Sequence, residues 1–174
     1  MELDNEKSIV IYFSRKGQNY SKGKIIDLPV GNTEVIGKMI ANLVNADIFQ
    51  IESVNEYPKD YNECVSIAKS EFNSDSRPQL ANDINIEGYS VIFLGYPNWC
   101  GTMPMAVWTF LERHDFSGKV IVPFCTHEGS GMGNSERDLK KLCPSSEVKK
   151  GIAIYGSSVN EARPNVEKWL KLIN

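Results

Sequence analysis

The stretch "YSVIFLGYPNWCGTMPMAVWTFLER", Tyr89 to Arg113, reads as a strand, a loop and a helix in succession. Tyr89 to Gly95 is a nearly continuous apolar run, the mark of a strand covered on both faces. Pro97 and Gly101 then turn the chain. Pro104 suits a first helical turn, where its missing N–H has no partner to lose. A strand covered on both faces needs further strands beside it and helices above and below.

The rest of the chain supplies them. Apolar, β-branched runs recur at 8–13 (SIVIYF), 46–53 (ADIFQIES), 119–125 (KVIVPFC) and 148–156 (VKKGIAIYG). The run at 46–53 alternates more and reads nearer a sheet edge. The last is expected to pass unbroken into the final helix. Between the runs lie helical stripes. Residues 32–45 align Val35, Ile36, Met39, Ile40 and Leu43, and residues 60–72 align Tyr61, Val65, Ala68 and Phe72. A shorter, more polar helix is expected at 135–143, and a closing one at 160–173 with Pro164 in its first turn. Trp108 and Trp169 fall at positions suited to core packing. Five alternations of strand and helix predict an α/β fold with a parallel sheet and right-handed crossovers. At 174 residues, a single domain spanning 1–174 is expected.

Charge and composition narrow the function. The net charge is −3 with no basic face or stripe, which argues against a nucleic-acid partner. No apolar run approaches the ~20 residues of a membrane helix. The charged start "MELDNEKSIV" does not read as a signal peptide. Cys64, Cys100, Cys125 and Cys143 form no CxxC pair, and His114 and His127 are the only histidines. Reduced thiols, a cytoplasmic location and no metal site are expected.

In open parallel sheets, ligands bind beyond the carboxyl ends of the strands. That points to 14–33, 96–103 and 126–134. The first segment holds Ser14, Arg15, Lys16 and Gly17, then Gly31, Asn32 and Thr33 at a helix start. Such a start attracts anions, although ordinary capping by Asn32 would leave the same trace. "GQNYSKGK" and "GNTEVIGK" are not Walker A loops. Each has five residues between its glycines instead of four, and Ile25 or Met39 stands where Mg²⁺ needs Ser or Thr. The second segment, "YPNWCGTMP", places Trp99 in a loop, to cover a flat heterocycle or to fold back onto the core. The third, "THEGSGMGN", is neither GxGxxG nor a GxSxG elbow. His127 and Glu128 are adjacent, so they read as two independent loop residues before an acid–base pair. His114 reads as a surface residue at a helix end, Asp83 as a turn cap, and Tyr57 and Tyr61 as loop packing within reach of a ligand. Nothing beside Cys100 lowers its pKa visibly.

Taken in order, "IVIYFSR", "GNT", "GYPNWCGTMP", "DFSGKVIVPFCTHEGSG" and the closing helix with its Trp resemble the flavodoxins over roughly residues 8–173. The resemblance implies a three-layer α/β/α sandwich around a five-stranded parallel sheet of order 2-1-3-4-5, with bound FMN. It places the FMN phosphate at Ser14, Gly31, Asn32 and Thr33, with Arg15, Lys16 and Asn19 beside it. The ring would meet Pro97, Asn98, Trp99, Cys100 and Gly101 on one loop, and Thr126, His127, Glu128, Gly129, Ser130 and Gly131 on the other. It implies low-potential electron transfer to a redox partner protein or a small-molecule acceptor. The Cys100–Gly101 turn would offer a peptide able to turn over near the ring. An FMN-dependent NAD(P)H:quinone-type oxidoreductase and a flavin-free binding module are the alternatives. The departure from the family is Gly17 to Val30, expected to loop out between two halves of a phosphate cradle and to rejoin at Gly31.

Overall fold

The computed structural model describes residues 6–174. The first five residues of the charged N-terminal stretch, and of the expected domain, lie outside the described residues. The chain runs β1 (Ser8–Tyr12), β2 (Gly17–Ser21), β3 (Lys24–Leu28), α1 (Asn32–Val44), β4 (Asp47–Gln50) and α2 (Tyr61–Asn73). It continues with β5 (Val91–Pro97), α3 (Met105–Arg113), β6 (Val120–His127), α4 (Ser135–Leu142), β7 (Glu147–Val148) and β8 (Ile152–Tyr155). A 3-10 helix (Gly156–Glu161) leads into α5 (Arg163–Ile173).

All pairings in the main sheet are parallel, in the order β4-β1-β5-β6, with β7 and β8 both on the far side of β6. Counting β7 and β8 as one position gives the expected order 2-1-3-4-5. The continuous apolar runs are buried on both faces, as their pattern demands: Ile9, Ile11, Ile92, Leu94 and Ile121 face one core, and Val10, Val91, Phe93, Val122 and Phe124 the other. Helices α3 and α4 cover the first core, and α1 and α5 the second. Burial of so many large side chains is the main stabilising term, at about 1.5–3 kcal/mol for each fully buried one. The alternating strand β4 is an edge, with Ile48 44 % exposed.

Two expectations need correction, and a third gains a form. The stretch after Arg15 loops out as an antiparallel hairpin of β2 and β3, closed at Lys22–Gly23, both with positive φ. The last strand is not continuous. The ladder on β6 runs to Ile121 with β7 and resumes at Phe124 with β8. Lys149 N donates to Ile121 O, so Pro123, two residues on, turns the same edge toward this strand. Pro123 has no N–H to give there, and the neighbouring chain bulges, with Lys149, Lys150 and Gly151 opposing Val122 and Pro123. On α2, the buried residues are Cys64 and Ala68, while Phe72 is 45 % exposed. The Tyr61–Val65 side of that stripe faces a cleft instead of the core.

Candidate functional site

At the carboxyl ends of β1, β5 and β6 lies a cleft of about 400 Å³. Three expected segments meet there: Ser14, Arg15, Asn19, Asn32 and Thr33; Pro97, Asn98, Trp99 and Cys100; and Thr126, His127, Glu128 and Ser130. Lys16, Gly31, Gly101, Gly129 and Gly131, also expected, do not line it, and Lys16 is exposed to solvent. Helix α2 closes the remaining wall with Tyr61, Cys64, Val65, Ala68 and Lys69, and the hairpin adds Tyr20. Of these, only Tyr61 was anticipated. The signal for the others was the weak burial demand of the α2 stripe.

The first wall is built by close approach. A Cβ on Gly31 would stand 2.2 Å from Ser14 Oγ and 2.7 Å from Arg15 O. Only glycine lets the β1 loop lie against the start of α1. The contact then satisfies a helix-end donor, because Glu34 N donates to Ser14 Oγ at 3.1 Å. Gly31, the N-cap of α1, has no side chain to give, and the N–H groups of Asn32 and Thr33 have no acceptor within the helix. The hydroxyls of Thr33 and Thr126 share a buried hydrogen bond of 2.7 Å, tying the first wall to the third.

Arg15 lines the cleft and also braces the chain. Its terminal nitrogens donate to the carbonyls of Gln18, Pro58, Lys59 and Asp60. The guanidinium therefore holds the hairpin root to the loop before α2. Its Nε is buried without a partner.

In the second wall, Trp99 faces two ways. It lines the cleft, and its ring packs edge-on against Phe13 (5.2 Å between centroids) and Tyr57 (5.0 Å). Tyr57 OH in turn donates to Glu71 at 2.8 Å. Burial pushes the Tyr57 phenol well up, helped by that carboxylate, and burial likewise raises the Glu71 carboxyl. After Trp99 the chain reverses through Cys100 (φ 56) and Gly101 (φ 78), with Trp99 and Thr102 exchanging both backbone bonds. Two positive φ values make this a mirror-image turn, strained at the non-glycine Cys100. Partial burial raises the pKa of the Cys100 thiol, with Lys69 opposing.

The second and third walls are cross-tied. Asn98 Nδ2 donates to Gly131 O (2.8 Å), its Oδ1 accepts from Gly101 N, and Asn134 N donates to Gly101 O (2.7 Å). A Cβ on Gly133 would meet Gly101 O at 2.4 Å. Behind them, Thr102 donates to the buried Asp138 (2.7 Å), and Tyr96 OH donates to Ser135, which donates to Met132 O. These network members were not foreseen, because each polar residue alone reads as surface.

His127 Nδ1 accepts from Gly129 N at 2.8 Å, which leaves the proton of a neutral ring on Nε2. Burial lowers its pKa, with Glu128 opposing. Glu128 does not pair with His127. Its Oε1 accepts from Ser157 N (2.6 Å) and its Oε2 from Lys22 N (3.3 Å). The two adjacent residues do point to separate tasks. His114 is less superficial than expected: it bonds Asp83 at 2.7 Å and its ring packs on Phe110. Asp83 does cap its turn through Ile84 N.

The comparisons with known proteins agree with this arrangement. A sequence model of the flavodoxin family matches residues 28–173, from the end of the hairpin onward. No curated protein matches the chain significantly. Among solved structures, a candidate flavoprotein from Bacteroides eggerthii DSM 20697 is 30% identical over 97% of this chain and 98% of its own, with a TM-score of 0.75. One from Bacteroides uniformis ATCC 8492 is 28% identical, also at 0.75, over 95% of this chain and 98% of its own. A flavoprotein from Lactobacillus acidophilus NCFM, solved in complex with FMN, shares the fold at 17% identity, 94% and 98% coverage and a TM-score of 0.64. With the sheet order, the cleft at the strand ends and the family match in agreement, the chain belongs to the flavodoxin family.

Proposed function

We propose that the protein binds FMN in this cleft and carries electrons at low potential between partners in the cytoplasm. The observation that carries the reading is the approach of Ser14, across a Cβ-less Gly31, to an α1 start whose first two N–H groups are left without a side-chain cap. That leaves backbone donors and the helix dipole for an anion. The chemistry fits a phosphate. Ser14, Asn32 and Thr33 offer hydroxyl and amide groups, and the buried, unpartnered Arg15 Nε adds a donor on a charged group. No helix among the described residues is long and apolar enough to cross a membrane.

Bound FMN supplies the redox chemistry, and the protein tunes it through the groups beside the ring. In this reading Trp99, braced by Phe13 and Tyr57, forms an electron-rich wall that disfavours negative charge. The Cys100–Gly101 peptide offers its N–H if it turns over, at the cost of the bond to Asn98 Oδ1. His127 presents an Nε2–H as a fixed donor. Gly31, Gly129 and Gly131 are then supporting backbone in place of lining, Gly101 acts through its N–H, and Lys16 faces solvent. The test is direct. Purified protein should show flavin absorbance and quench FMN fluorescence on titration, and NADPH should leave the flavin colour unchanged over minutes. A colourless protein that does not quench FMN overturns the reading. Rapid bleaching by NADPH would move it to the oxidoreductase class.

A further inference from the structure

The β2–β3 hairpin is an arm with very little core of its own. Its outer strand is exposed throughout Lys24–Asp27, with Ile25 47 % accessible. It is held instead by polar links at its two ends. At the root, Arg15 grips the 58–60 loop, Gln18 N donates to Lys59 O, and Tyr61 N donates to Gln18 Oε1. At the tip, Lys22 N donates to Glu128. Between them, Asn19 and Tyr20 line the cleft, and the Tyr20 ring lies 6.3 Å from that of Tyr61. The arm therefore runs along the cleft from the α2 side to the β6 side.

We propose that this hairpin is a gate on the cleft and that Glu128 is its latch, a positioning residue and not a proton carrier. The carboxylate is preset for the task. Ser157 N holds Oε1, Gly156 leaves room for it (a Cβ there would come within 3.1 Å), and Oε2 is presented to the hairpin tip. The root bonds take no part in opening. Beyond the root, the Lys22–Glu128 bond and the Tyr20–Tyr61 contact must break, and an element with few buried apolar contacts belongs to the low-stability end of a fold. As a gate for FMN exchange, the device rests on the function proposed above; as a latch on the hairpin, it does not.

Amide hydrogen exchange on the ligand-free protein tests the latch alone. Glu128→Ala should speed exchange across residues 17–28 by about three- to fivefold, the size for losing one solvent-exposed hydrogen bond, and leave α1 and β5 unchanged. Glu128→Gln, which keeps one acceptor oxygen, should fall between. FMN release, followed by fluorescence recovery, tests the gate. Glu128→Ala should speed it by a similar factor, as should replacement of residues 19–26 by Gly-Gly. In that shortened chain, Glu128→Ala should add nothing, because the two changes remove one coupled element. Unchanged hairpin exchange in Glu128→Ala overturns the latch. Faster release from Glu128→Ala in the shortened chain overturns the gate, since Glu128 would then act on the ligand directly. Should the wild-type protein take up no FMN, the functional reading fails and the exchange data alone decide the latch.

Discussion

Gly31→Ala probes the cradle where it is tightest. The native φ of −66° suits alanine, so backbone strain plays no part. The new Cβ would stand 2.2 Å from Ser14 Oγ and 2.7 Å from Arg15 O, where ordinary contact begins at 3.4 Å. Rotating the Ser14 hydroxyl away relieves the first clash but forfeits its bond to Glu34 N. The second clash is with backbone, and the shortfall of 0.7 Å must be taken up by moving the start of α1 away from the β1 loop. Overpacking of this kind costs about 1–3 kcal/mol. Because the displaced groups are the proposed phosphate donors, most of that cost should appear in binding. FMN affinity should fall by about ten- to a hundredfold, read by fluorescence quenching with thermal melts as the stability control. An alanine variant that melts and binds FMN like the wild type would refute the close-approach argument.

Other perturbations separate the walls of the site. Thr33→Ala leaves Thr126 Oγ1 buried without its partner, so it should destabilise by about 1 kcal/mol and weaken FMN binding more than Tyr20→Ala; equal affinities would count against the helix-start cradle. Thr102→Val strips the buried Asp138 of its hydroxyl donor and should lower the denaturation free energy by about 1–3 kcal/mol, loosening both ring-side loops in amide exchange. For pH, His127 has a folded-state pKa below its ordinary 6.5. The unfolded chain therefore binds the proton first, and stability falls as pH drops from about 6.5 through the depressed value. His127→Gln should flatten urea midpoints across that window, and a slope identical to the wild type would exclude burial of a neutral ring there.

The strands and the three ligand segments were legible because burial on both faces writes itself as unbroken apolar runs, and because open parallel sheets bind at strand ends. The hairpin was not. Its strands alternate poorly, Ile25 and Ile26 stand side by side, and its turn is Lys-Gly in place of the usual Asn-Gly or Asp-Gly. Pro123 did carry a warning. A proline inside an apparent central strand signals a bulge in a neighbour, and the break in the last strand lies opposite it. The roles of Arg15 and Glu128 escaped for another reason. A charged residue at a strand end reads alike whether it serves a ligand or the chain's own amides, and only the folded backbone shows which acceptors and donors lie within reach.

The bulge opposite Pro123 also bears on how the molecule behaves at high concentration. A sheet edge with a long row of free amides and carbonyls can recruit a strand from another chain. Here one edge is the four-residue β4, and the other is broken into pieces of two and four residues that cannot present a continuous ladder. A proline on β6, one strand in, thus guards the outer edge against strand-by-strand association while leaving the ligand end of that same strand intact.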